Sequence, residues 1–147
     1  MKSIFNTATR EEIVQRIQSL KHTDSALWGK MTLYQMIRHC MLWDEMVEGK
    51  HIYKQVFLGK LFGKTVLKKV LKDDAPLRKN TPTLPVLKIA GSGDIALEKS
   101  NWIAQIQQYA DFSNSNFVHP FFGKMDKEQI GYMVYKHADH HLRQFGA

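Results

Sequence analysis

His137 and His141 stand four residues apart near the end of the chain, and Ile130, Met133, Val134, Leu142 and Phe145 recur around them at steps of three and four. That is the period of one helical face, so two imidazoles occupy places where a core would otherwise put apolar side chains. At this spacing the rings lie one turn apart and can share one ion, and neutral ring nitrogens are good ligands for zinc, nickel or iron. A histidine on an apolar face has to find hydrogen-bond partners or bind something, because an unsatisfied polar group is costly to bury. The bland alternative is a pair of ordinary helix residues, since a chain with seven histidines produces such a spacing by chance. His140 forms a competing pair with His137 at three residues, although it falls toward the flank of the stripe.

A third imidazole shares this character. Thr32 with Gln35 opens a helix running to about Glu48, where Gly49 ends it. Met36, Cys40, Trp43 and Val47 centre its apolar face, and His39 lies in the same arc while Arg38, Glu45 and Glu48 fall on the other side. Cys40 is the single cysteine, which excludes an internal disulfide and a cysteine-based zinc site and suits a reducing compartment. It points about 100° away from His39 on a helix and reads as a buried structural thiol. Trp28, Trp43 and Trp102 read as core residues. Carboxylates that would orient the imidazoles are sought in Asp44 and Glu48, on helical position alone.

The histidine pair needs a helix of its own. Asp126 with Gln129 is a capping box and Gly146 is a stop signal. Thr9 with Glu12 is read as a similar start for a first helix over residues 8 to 21, followed by a turn from His22 to Lys30 whose Trp28 folds back on the core. Residues 51 to 72 keep an amphipathic rhythm interrupted by Gly59 and Gly63, which predicts a broken or short helix lying across the bundle. Pro76, Pro82 and Pro85 impose an extended path on residues 73 to 93. Asp94 caps a further long helix ending near Phe112, and His119 precedes Pro120 in the loop before the terminal helix, where it anchors the turn or reaches the site mouth. No internal repeat and no strand pattern is visible. These elements predict an all-α protein, a four-helix bundle with one long crossover between helices two and three, in which side chains from facing helices hold a cofactor.

A chain of 147 residues fits one domain spanning 1–147. The start lacks the apolar core of a signal peptide, and no run approaches a membrane span, so a cytoplasmic location is expected. Between Lys54 and Lys79, eight Lys and Arg stand against Asp73 and Asp74, which places six of the seven net positive charges in one stretch. Such a run is most simply a solvated face. Its functional readings are attraction of an acidic substrate, or contact with a membrane surface or nucleic acid. With only Phe57 and Phe62 interleaved, a single-strand binding platform is not expected.

LWGKMTLYQMIRHC around His39, together with HPFFGKMDKEQIGYMVYKHADHHLRQFG at the end, resembles the DinB-like (DinB/YfiT) superfamily, in one of its uncharacterised bacterial branches, and the likeness covers nearly the full chain. The resemblance implies an up-down-down-up bundle and a divalent metal held by His39 from the second helix and His137 and His141 from the last. It also implies a small-molecule substrate. The superfamily includes S-transferases and isomerases dependent on bacillithiol, mycothiol or glutathione, so transfer of a low-molecular-weight thiol to an electrophile is the leading expectation and metal-assisted hydrolysis the next. The ion expected is zinc or nickel, with manganese and iron behind. A homodimer would be in keeping with the family. The rival from another class is a non-enzymatic stress protein binding nucleic acid through residues 54–79.

Overall fold

Helices in this chain begin where a short polar side chain can satisfy backbone N–H groups left free at a helix entrance. The computed structural model, which describes all 147 residues, has five α-helices: α1 (Thr7–Ser19), α2 (Leu33–Glu48), α3 (Phe57–Val70), α4 (Ile95–Gln108) and α5 (Lys127–Gln144). Two of the three expected capping boxes are formed, and the one expected at Thr9 and Glu12 is not. Thr32 accepts from Gln35 N at 3.2 Å and its own N–H donates to the Gln35 side chain at 3.1 Å. Asp126 does the same with Gln129 at 2.8 and 3.2 Å. Asp94 accepts from Leu97 N at 3.0 Å to start α4, and Gly49 closes α2 with φ 87°, a left-handed conformation that glycine adopts without a Cβ penalty.

The first helix starts earlier than Thr9. Asn6 caps it, accepting from Ala8 N at 3.0 Å, while Thr9 is buried within the helix and Glu12 pairs with Lys2 at 2.5 Å. Ile4 N donates to Gly131 O at 3.0 Å, which ties the chain to α5 just before the cap and makes Asn6 the first available capping side chain.

The protein is all-α apart from a small antiparallel pair, β1 (Val118–His119) and β2 (Gly123–Lys124), which the sequence pattern did not reveal. Strands of two residues are too short to show alternation. Helix α2 packs against α4 and α5, and α1 packs against the same two, around a core that includes Ile13, Ile17, Met36, Ile37, Trp102, Ile106 and Leu142. Asp139 joins α5 to α1: Arg16 and Arg143 each donate to it at 2.8 Å. No helix is long and apolar enough to cross a membrane.

Helix α3 departs from expectation in being unbroken through both glycines. Gly59 and Gly63 face the hairpin, and a methyl group at either would overlap the Phe121 carbonyl oxygen. The glycines thus permit a close approach of two backbones instead of interrupting the helix. Gly63→Ala is expected to destabilise the protein by about 1–3 kcal/mol through overpacking, against the roughly 1 kcal/mol by which alanine favours an exposed helix. Urea unfolding checks the sign; a more stable variant would mean that the seam relaxes.

Candidate metal centre

Three helical turns and one loop build the site. His39 comes from α2, His137 and His141 from successive turns of α5, and all three are buried. Their ligand atoms lie within 4.8 Å of one another, an arrangement that can hold a metal ion. The Nε2 atoms of His39 and His137 are 3.1 Å apart. Two imidazole lone pairs facing at that distance repel unless a proton or a cation sits with them.

The remaining ring nitrogens explain which atoms face inward. His39 Nδ1 is 2.8 Å from the carbonyl oxygen of Leu87, which belongs to a short 3-10 turn, Pro85–Leu87, in the crossover before α4. A carbonyl only accepts, so Nδ1 carries the hydrogen and Nε2 keeps its lone pair. His141 Nδ1 is 2.9 Å from Gln144 Oε1, and Gln144 Nε2 donates to Trp28 O at 2.7 Å, which fixes the amide so that its oxygen faces the ring. Two of three imidazoles are thus held in the tautomer that a metal ligand needs, with oxygen acceptors behind them. A tetrahedral ion with nitrogen bonds of about 2.0–2.1 Å spaces its ligand atoms roughly 3.4 Å apart. The His39–His137 pair nearly meets this, and a pair at the full 4.8 Å has to close by about 1.4 Å.

Burial keeps the cluster neutral. Desolvation pushes the His137 pKa well below 6.5, and the repulsion expected from charged His141 and His39 pushes the same way. His141 is lowered to about 3 by burial first and His39 second, with the Gln144 hydrogen bond opposing. His39 is lowered by burial, opposed by the Leu87 carbonyl. Neutral imidazoles are the form that binds a metal.

His140 stays outside the group. It is half-buried against the Trp28 ring at 5.7 Å and is 5.0 Å from the His141 ring. Asp44 does not orient any of the three histidines. Its carboxylate is buried and accepts from Trp102 Nε1 at 3.0 Å and Tyr109 OH at 2.8 Å. Burial lifts its pKa to about 7 in spite of both bonds. Glu48 pairs with Lys50 at 2.7 Å. The orienting groups are a backbone carbonyl and an amide; only Gln144, three residues after His141, left a trace in the sequence. Cys40 is buried beside Met36 with its thiol pKa pushed well up by desolvation, a structural thiol as expected.

His119 anchors its turn: Nδ1 accepts from the N–H groups of Phe121 and Phe122, both at 3.0 Å. The hydrogen of this neutral ring therefore sits on Nε2, which is buried without a partner, as is Trp43 Nε1. Trp43 lies between the two histidines, stacked on His137 at 4.4 Å and 4.7 Å from His119. Two unpartnered donors therefore flank the cluster.

A cavity of about 620 Å³ opens between the end of α2 and residues 108–118 and contains none of the three ligands. A second, about 410 Å³, is lined by Trp28, Lys79, His140 and Arg143 and borders the cluster through His140. The second is the one of these two that adjoins the histidine cluster. Lys79 Nζ lies 4.3 Å from the centre of the Trp28 ring, so this opening is cationic.

Over residues 4–147 the chain matches the model of a family described as a protein of unknown function (DUF1569). No curated protein and no solved structure matches it.

Proposed function

The chain belongs to the DUF1569 family, and on that premise we propose that it is a branch of the DinB-like superfamily: one cytoplasmic domain, an up-down-down-up four-helix bundle, acting as a divalent-metal-dependent enzyme. The observation carrying this reading is the convergence of three buried, neutral imidazoles, two of which, His39 and His141, have their outer nitrogens already hydrogen-bonded. His39, His137 and His141 are the proposed ligands, for zinc or nickel before manganese or iron. When bound, such an ion supplies a Lewis acid that lowers the pKa of a thiol or water in its open position.

The chain's own residues do the rest. Leu87 O and Gln144 hold the His39 and His141 rings, and Trp43 backs His137 and excludes water from that side. The His119 and Trp43 N–H groups stay buried without partners on that side, where leaving a donor unsatisfied costs about 1–3 kcal/mol each. Lys79 and Arg143 suit a carboxylate-bearing thiol arriving through the smaller cavity. Transfer of such a thiol to an electrophile is the reaction we favour.

Elemental analysis of untagged protein purified without chelator should give about one equivalent of a first-row divalent ion, and protein carrying that ion should consume glutathione or bacillithiol in the presence of an electrophile. Metal without thiol consumption, but with ester or amide cleavage, would move the assignment to hydrolysis. No metal even after reconstitution would overturn it.

A further inference from the structure

Helix α3 turns only Gly59, Gly63 and Leu67 fully inward. Its attachment is the narrow glycine seam on the hairpin. The opposite side is unusual: Phe57 is 73% exposed, Leu58 60%, Leu61 58% and Phe62 55%, and Ile52 just before the helix is 91% exposed. Helical geometry places these four helix residues in one outward arc over the first two turns. The same outward side then carries Lys68 and Lys69, with Lys72 just beyond the helix end. No acidic residue occurs between Lys54 and Lys72. Single exposed apolar side chains need no explanation, but a contiguous group of this size marks an interaction surface.

The shape and charge of the surface select its partner. A second copy of the chain would set lysine against lysine if α3 packed parallel to itself, and lysine against phenylalanine and leucine if it packed antiparallel. Nucleic acid would pair with the lysines and leave two phenylalanines and two leucines in water. A folded protein would have to supply a groove matched to a convex ridge. A bilayer surface needs no such match: the acyl boundary accepts the apolar turns, and lysine stems extend to bring their charges to anionic headgroups. We propose that α3 docks the protein on an anionic membrane surface, with Phe57, Leu58, Leu61 and Phe62 entering the interface and Lys68, Lys69 and Lys72 meeting the headgroups, while Lys64 donates to the Lys124 carbonyl of the hairpin. The helix lies on the membrane and does not span it.

Sedimentation of the full chain with lipid vesicles tests this. Vesicles containing phosphatidylserine should bind at least about tenfold more protein than phosphatidylcholine alone, with the difference shrinking as salt is raised. Phe57→Ser with Phe62→Ser, and separately Lys68→Glu with Lys69→Glu, should each lower binding about tenfold while leaving thermal unfolding unchanged, because all four side chains are exposed. Failure to bind either vesicle overturns the proposal. So does binding that neither pair alters, and so does equally strong binding to duplex DNA that survives loss of the phenylalanines.

Discussion

Replacing His137 by alanine should leave the protein folded and unable to retain a divalent ion. The His137 Nε2 is 3.1 Å from that of His39, and its ring is 4.7 Å from that of His141 one turn away on the same helix. Removing it leaves only the His39 and His141 rings, 4.8 Å apart, and two ligands in place of three. Loss of a group that merely orients a ligand typically lowers metal affinity by about 10–100-fold, so loss of the ligand itself should exceed this and empty the site at purification. Elemental analysis reads the result directly. His39→Ala, which removes a ligand from the other helix and spares the Trp43 stack, guards against a folding defect as the cause. Full metal content in either variant would sink the three-histidine assignment.

The metal-free protein should also be acid-labile. His39, His119, His137 and His141 all have pKa values lowered by burial, to about 3 for His119 and His141. The unfolded chain takes up a proton at each near pH 6.5 and the folded chain does not, so stability is complete above that pH and falls below it. His140, lowered by partial burial, acts in the same direction. Asp44 opposes: with its pKa raised to about 7, the folded state binds a proton there that the unfolded chain binds only near 3.8, which adds stability as pH drops through that window. The lowered imidazoles outnumber the one opposing carboxyl, so unfolding takes up protons on balance below pH 6.5 and stability falls as the pH drops. Against total stabilities of about 5–15 kcal/mol, this loss is expected to show as a lower melting temperature at pH 4 than at pH 8. A saturating divalent ion should raise the midpoint at pH 6 by binding only the folded form. Thermal melts from pH 8 to pH 4, with and without the ion, check both points, and a flat profile would contradict the neutral cluster.

What could be read from the sequence follows a physical line. Periodicity placed His39, His137 and His141 inward because each lies among apolar neighbours on a long helix, and capping chemistry fixed the starts of α2, α4 and α5. Contacts made by backbone atoms were not legible. The Leu87 carbonyl that orients His39 belongs to a proline-rich crossover whose path no local pattern specifies. The hairpin at 118–124 is too short to show alternation, and its seam with α3 depends on two backbones meeting, so Gly59 and Gly63 read as interruptions. Asp44 was sought beside the histidines on helical position, but the indole and phenol of α4 and its following turn claim it.

Gln144 answers to two masters. Its amide oxygen holds the His141 ring, its amide nitrogen holds the Trp28 carbonyl, and its own backbone carbonyl accepts from Leu27 N at 2.8 Å. Because the two ends of one amide are committed in opposite senses, turning it to serve a displaced Trp28 would present N–H to the N–H of His141, donor against donor. The 21–32 connection and the imidazole therefore cannot rearrange independently. A molecule that displaces Trp28 at the smaller cavity is expected to disturb the His141 ring through Gln144 without touching it.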